Sequence, residues 1–482
     1  MAELPYKEET KKQKLLKFNK FVDTLLPHES HFLKNTRKFD DPEKNEILDG
    51  IIRKVNDESK DNDFDKQIDK RKYSYIKDWC SKLLDNYDVD KMLGKLFQWE
   101  HQIMTDTIEP EAEKELIKLS KSANSGFFNF LKLYEVYRVY RHYLQIRLRH
   151  KDFEIINNFI IKFRTDYEYA RLVNDKLHEA TSDIIQQFVL RKEPENDWFN
   201  WLSGIFYNES LDGYNRMLAW VRLVFIAHNQ HNYKMLEKEF AYFDQKLNSG
   251  MFYSRRIVTN YYSQCLLYHA SINDFSKAAK FGYLSIKEQN NDHLYYVNNL
   301  AAVLLRNKQS KDALQLLQSS ISLSKSTPNM YNKIGHVSFM IFALIDCGKT
   351  KQAENHAFVF HSAFKKEIFE YRWHLFYTAY CKAMIYNRNY SQLIKTYTQQ
   401  KLNEKDESYK KRANYTPSLP WMYSLSQYKL GNCNIEDLKK EWDLMKTKDK
   451  IPNGLNVYQD LDEITNQILQ NEWSRFSKLL IE

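Results

Sequence analysis

The sequence predicts an all-α fold, an α-solenoid of stacked antiparallel helical hairpins with a helical region at its N-terminal end, and three observations carry that prediction. Over 482 residues there are only 11 Gly and 9 Pro, so residues that break helices or set tight turns are scarce. Asn-Gly or Asp-Gly turns flanked by alternating apolar residues, the signature of β-hairpins, are absent. Apolar side chains instead recur at helical spacing, as in Tyr75, Ile76, Trp79, Leu83 and Leu84, then Met92, Leu93, Leu96, Phe97 and Trp99. A hydrophobic content of 43% and an aromatic content of 15% suit closely packed helix layers.

A short phrase recurs along the chain: Asn or Asp, an aromatic residue, two further residues, and an apolar residue that opens an amphipathic helix. It is found as Asp152-Phe153 with Ile156, Asn232-Tyr233 with Leu236, Asp274-Phe275 with Ala278, and Asn389-Tyr390 with Leu393. Weaker copies run from Lys308 to Ala313 and from Gly348 to Ala353, and Asp197-Trp198 fills the 80-residue gap after Ile156. Successive anchors from Leu236 are separated by 42, 35, 40 and 40 residues.

This pattern resembles the tetratricopeptide repeat (TPR), whose inter-helix turn and early small residue match Asn273 to Gly282. In the unit from Tyr295 to Leu323, Leu300 and Ala301 stand where that family has Leu-Gly, Leu304 stands for its Tyr, Ala313 for its Ala and Leu317 for its aromatic residue. Most spacings exceed the family period of about 34, and Ile156, Leu236 and Leu393 replace the small Ala. Larger side chains there are expected to push the paired helices apart and make the pitch irregular. The resemblance implies hairpins that bury their apolar faces by stacking and present an extended concave surface to a partner.

The expected organisation is an N-terminal helical arm or cap over 1–55, a charged linker over 56–72, a helical region over 73–129, the TPR-like solenoid over 130–445 and capping helices over 446–482. Asn56 to Lys72 is almost wholly polar and has no apolar stripe. Its Asp61, Asp63 and Asp65 mimic the start of a calcium loop, but Lys66 and Lys72 stand where that loop needs Gly and Glu. Residues 1–30 carry Lys11, Lys12, Lys14, Lys17 and Lys20 among Leu15, Leu16 and Phe18, which reads as an amphipathic helix and lacks a signal-peptide apolar stretch. The longest apolar run, Phe339 to Ile345, is too short to span a bilayer. Cys80, Cys265, Cys347, Cys381 and Cys433 lie far apart without a C-x-x-C pair, which fits a reduced, cytoplasmic setting.

Standard catalytic signatures are missing. No two glycines are closer than nine residues, so no glycine-rich phosphate loop can form. Neither a His-Glu-x-x-His motif nor a Gly-x-Ser-x-Gly elbow occurs. The pairs His28/His31, His228/His231 and His356/His361 lack a third assignable ligand. The expectation is therefore a non-enzymatic adaptor or scaffold without metal or cofactor.

Tyr134 to Lys151 is the most suggestive segment, with Arg138, Arg141, Arg147, Arg149 and Lys151 interleaved with Tyr134, Tyr137, Tyr140 and Tyr143. Counted from Ile156, Arg138, Arg141 and Gln145 fall at first-helix positions that line the inner groove in the resembling family. The same register places Asn260, Ser263 and Gln264, then Asn298 and Asn299, then Lys382 along that groove. Arginine forks suit carboxylates and phosphates, and tyrosine can stack under guanidinium groups or bases. The same spacing also describes a core stripe of Tyr137, Tyr140 and Leu144 beneath a solvated arginine face. Net charge is +9, a modest excess of 72 basic over 63 acidic residues. An acidic peptide or protein segment is the expected partner, with nucleic acid the alternative, because phosphate tracking needs a longer positive stripe. The N-terminal helix and Lys410-Lys411-Arg412 are the segments that could lengthen it.

Overall fold

The structure, a computed structural model, describes residues 15–56, 64–65, 67–190, 197–230, 232–410, 415–448 and 454–472. Within them secondary structure is helical, with no strand. The chain divides into two compact units, residues 1–261 and 262–482.

In the first unit the helices are α1 (Leu16–Thr24), α2 (Pro27–Thr36), α3 (Pro42–Asn56), α4 (Lys70–Tyr87), α5 (Val89–Met104), α6 (Pro110–Ser122), α7 (Phe130–Ile146), α8 (His150–Lys162), α9 (Arg164–Leu190), α10 (Trp198–Tyr207), α11 (Gly213–Asn229) and α12 (Glu237–Asn248), followed by the first part of α13 (Arg255–Ser271). Carboxylate caps start several of them. Asp69 accepts from the Arg71 N–H, Asp88 from those of Asp90 and Lys91, and Asp212 from that of Asn215, satisfying donors that the first turn leaves open. Pro27 and Pro110 occupy first-turn positions, where a missing N–H costs nothing. The apolar faces of α5 to α9 meet in one cluster that includes Leu96, Trp99, Leu116, Tyr137, Tyr140, Ile156 and Phe163.

The second unit continues with the rest of α13 and then α14 (Phe275–Ser285), α15 (His293–Arg306), α16 (Ser310–Ser319), α17 (Ile321–Ser326), α18 (Met330–Asp346), α19 (Thr350–Tyr371), α20 (Trp373–Tyr386), α21 (Tyr390–Gln399), α22 (Leu402–Tyr409), α23 (Ser418–Lys429), α24 (Ile435–Lys448) and α25 (Gly454–Leu469). Here α15 packs on α14, α16 and α18, α18 on α16, α19 and α20, and α20 on α19, α21 and α23. Gly282 marks one close approach: a methyl there would stand 2.6 Å from Leu300 Cδ1 and 2.7 Å from Leu266 Cδ1, so α14 sits tight against both α13 and α15.

Five of the inter-helix joints illustrate one backbone geometry, which recurs at Asp106, Gly250 and Gly431. Leu148, Asn273, Lys308, Gly348 and Arg388 all adopt positive φ, between 54° and 75°. At each joint the N–H of the next residue reaches back five positions: Arg149 to Leu144 O (3.1 Å), Asp274 to His269 O (2.9 Å), Gln309 to Leu304 O (2.8 Å), Lys349 to Leu344 O (2.8 Å) and Asn389 to Met384 O (2.9 Å). This is the Schellman closure, in which a left-handed residue turns the last carbonyls inward to a main-chain donor. The recurring anchors Ile156, Leu236, Ala278, Ala313, Ala353 and Leu393 are all fully buried. Counted from the joint, Ala278, Ala313, Ala353 and Leu393 share one register. In α8 the cap is Arg149, three residues ahead of Asp152, so the residue matching those anchors is Phe153 and not Ile156. The longer spacings also have visible sources. Helix α17 lies between Ala313 and Ala353, and α19, which runs 22 residues with a break at Phe364 (φ −130°), lies between Ala353 and Leu393.

Of the charged segment 56–72, residues 57–63 and 66, with Asp61 and Asp63, lie outside the described residues. Its described part is anchored: Phe64 and Ile68 are buried, the Phe64 ring centroid lies 5.0 Å from that of Phe18, and the Tyr73 hydroxyl donates to Asp65 O at 2.6 Å. Lys11, Lys12, Lys14, His231, Lys411 and Arg412 also lie outside the described residues.

Candidate partner-binding surfaces

Helix α7 presents two faces because its residues alternate between core and solvent at helical spacing. Tyr134, Tyr137, Tyr140 and Leu144 are buried. Each buried hydroxyl finds a partner: Tyr134 donates to Ile160 O (3.1 Å), Tyr137 to Leu116 O (2.9 Å) and Tyr140 to a Glu113 carboxylate oxygen (2.7 Å). These three rings are core, so they offer no platform on which a nucleic-acid base could stack. The more distal arginines are committed internally. Arg147 pairs with Asp106 at 2.7 Å and lies over the Tyr143 ring, and Arg149 bridges Glu113 and Asp152.

Arg138, Arg141 and Gln145 share the remaining face of α7. Arg138 and Gln145 are exposed, while Arg141 is half-buried and directs Nη1 toward Asn157 Oδ1 at a long 3.4 Å. Beside them Tyr134 stacks on Tyr167 of α9 with centroids 4.1 Å apart, and Arg138, Arg164 and Arg141 all act electrostatically on the Tyr134 hydroxyl. Arg171 of α9 lies 6.0 Å from the Tyr167 ring. The first unit thus gathers four arginines around one stacked tyrosine pair. Sequence spacing shows only the two on α7, since α9 joins them through tertiary packing. Asn260, half-buried on α13, belongs to this unit.

The second unit holds the other predicted groove residues. Gln264 on α13 is buried and its Oε1 has no hydrogen-bond partner, nor has Ser263 Oγ. Asn298 on α15 donates through Nδ2 to Asn332 O at 2.9 Å, leaving Oδ1 without a donor. Asn299 Nδ2 is likewise without an acceptor in hydrogen-bonding geometry, although its amide approaches the Tyr295 hydroxyl. Lys382 on α20 lies over the Phe342 and Tyr386 rings at 5.6 and 5.7 Å. Helix α25 brings acid to this region: Lys382 acts on the carboxyl of Asp460, and Glu463 accepts from Lys308 at 2.9 Å through both oxygens.

Among the described residues no group of three His, Cys, Asp or Glu side chains is placed to hold a metal ion, and no helix is long and apolar enough to cross a membrane. The histidine pairs are taken up elsewhere. His28 faces Asp244 at 2.9 Å, His228 the Tyr233 hydroxyl at 2.8 Å and His361 the Tyr377 hydroxyl at 2.9 Å. A second acid–base pair that sequence spacing does not suggest, beside His28 with Asp244, is His374 with Asp406, 3.7 Å apart. Both are buried, His374 stacks on Tyr409 at 4.5 Å and Tyr415 donates to Asp406 at 2.7 Å. That enclosure makes the pair a tie between α20 and α22. Comparison of the chain with protein-family models, with curated proteins and with solved structures returns no match.

Proposed function

We propose that the chain is a non-catalytic adaptor or scaffold that holds an acidic segment of a protein partner along the inner face of a TPR-like solenoid of helical hairpins. The observation that carries this reading is in the second unit. The first helix of each pair, α15, α18 and α20 in turn, packs on the first helix of the next, and the polar residues on that series include amides with unfilled hydrogen-bonding capacity. Burying such groups unpaired costs about 1–3 kcal/mol each, a cost a bound peptide main chain would offset. A cytoplasmic location accords with five cysteines that are all free thiols.

The test is affinity purification from the native host with the full chain as bait, repeated after nuclease treatment and with the double variant Arg138→Glu/Arg141→Glu. A protein recovered reproducibly and insensitive to nuclease is the expected result. Loss of every partner on nuclease treatment would overturn the reading. Retention of all partners by the double variant would remove the α7 face from the interface.

A second reading, nucleic-acid binding, is favoured by the four arginines around Tyr134 and Tyr167. It predicts that affinity for a generic RNA falls by roughly a hundredfold between about 50 and 200 mM salt, the loss expected for about four phosphate contacts. A flat salt response would dismiss it.

A further inference from the structure

Arg372 in the second unit combines partial burial with a guanidinium that makes a ring contact but no hydrogen bond or ion pair among the described residues. It precedes α20 and is half-buried. Its Cζ lies 4.2 Å from the Tyr331 ring centroid, a cation–π contact on a ring that is itself 43% exposed. The guanidinium rests on α18 only because residue 335 is glycine: a methyl there would stand 2.5 Å from Arg372 Nη1 and 3.3 Å from Asn298 Nδ2. The same measurement puts the Asn298 amide beside the guanidinium. Asn298 is 2% exposed, its Nδ2 is fixed by Asn332 O, and its Oδ1 has no partner. The neighbouring Asn299 leaves a donor, Nδ2, unmatched. Tyr295 completes the group, with Tyr331, Arg372 and the exposed Asp292 all acting electrostatically on its hydroxyl.

We propose that Arg372, Tyr295, Asn298 and Asn299 form a subsite for one acidic residue of an extended peptide, the carboxylate pairing with the guanidinium and the adjacent main-chain amides filling Asn298 Oδ1 and Asn299 Nδ2. The proposal rests on the adaptor reading and names the chemistry of one position within it. Three features select this occupant. A planar guanidinium matches a carboxylate in two-point geometry. An unmatched acceptor next to an unmatched donor matches the N–H and C=O of a peptide, whereas a phosphate group would leave Oδ1 empty. The charge is single, because the nearest cation on α18, Lys333, is turned to Lys325 O (3.3 Å) and the Phe364 ring, so tracking a phosphate backbone is disfavoured.

A phage-displayed library of random twelve-residue peptides, selected on the full chain, tests this. Enriched peptides should carry Asp or Glu at one fixed position. By fluorescence anisotropy, replacing that acid with its amide, or Arg372→Gln in the protein, should each weaken binding by roughly tenfold or more. The two changes together should cost little more than either alone. Lys238→Gln, exposed on α12 in the other unit, should leave the affinity unchanged. Should Arg372→Gln fail to fold, the acid-to-amide peptide on the unaltered protein still decides. Peptides enriched without an acid, or an Arg372→Gln affinity equal to that of the unaltered chain, would overturn the subsite while leaving the adaptor reading standing. No enriched peptide on the unaltered chain would overturn both. Stronger binding of the phosphoserine form of the peptide, or Arg372-dependent binding of an oligouridylate, would replace the carboxylate assignment with a phosphate one.

Discussion

The two units bury polar groups of different kinds. The first encloses formal charge. Glu29, with no exposed surface, accepts from the Leu26 N–H (2.8 Å), the Tyr253 hydroxyl (2.6 Å) and Arg255 Nε (2.9 Å). Arg216 is buried against Phe206 O and the Tyr242 hydroxyl, and Arg222 against the carbonyls of Leu177 and Leu218. The second unit encloses amides, hydroxyls and imidazoles, and Asp406 is the one buried carboxylate among its described residues. A buried charge is tolerable only with every partner in place, so it fixes one arrangement of distant segments. Glu29 and Arg255 are 226 positions apart and close the first unit on itself. In the second unit α15, α18 and α20 each pack on helices near them in sequence.

The sharpest way to break this contrast is Glu29→Ala. It strands Arg255 and the Tyr253 hydroxyl and should cost about 3–5 kcal/mol, read by denaturant unfolding of the full chain. A loss below about 1 kcal/mol, the ordinary size for a surface change, would mean the first unit does not depend on its buried charge.

Acid should move the units in opposite senses. Burial raises the Asp212 carboxyl to about 6, against backbone and side-chain hydrogen bonds from Asn215 that oppose it. Its folded pKa lies above the unfolded one, so the stability it contributes is present below about pH 4 and is lost as pH rises through about 6. Burial depresses His336 to about 4, and its Nε2 lies 3.0 Å from both Leu317 O and Ser320 Oγ. Its contribution is therefore present above about pH 6.5 and lost as pH falls through about 4. Relative to Asp212→Asn, the unaltered protein should lose about 1–3 kcal/mol between pH 4 and 7, and relative to His336→Gln it should gain a similar amount. Differences of the same sign in both variants would erase the contrast.

The smallest effect concerns what the units share. Leu148 in the first and Arg388 in the second hold positive φ without being glycine, and left-handed backbone costs an L-residue roughly 1–2 kcal/mol. Replacing either with Gly should raise stability by up to about 1 kcal/mol after the entropy that glycine adds to the unfolded chain. A decrease at either position in thermal unfolding would show that the two joints are not equivalent.

Helix content was legible because glycine scarcity and apolar periodicity are local properties. The anchors were legible too, since a residue under the crossing of two helices must be apolar or small. The joints were not: their closure is made by main-chain atoms, and Leu148, Lys308 and Arg388 carry no side-chain signature of it. That is also why the register at Asp152 misled, its Asn/Asp-aromatic phrase lying inside α8. Of the residues in the proposed subsite, Asn298 lies on a face that spacing indicates, whereas Arg372 has no such signal: what singles it out is Gly335 beneath it and Tyr331 beside it, both on another helix.

Joints closed by main-chain atoms also make the segments between them interchangeable. Residues 309–348, running from one joint to the next, could be moved as a cassette if the incoming segment matched the apolar faces it meets and kept the carbonyl that Asn298 bonds and the glycine beneath Arg372. A lineage could lengthen or shorten such an array by copying whole segments, while the joint residues drift in identity without opening the chain.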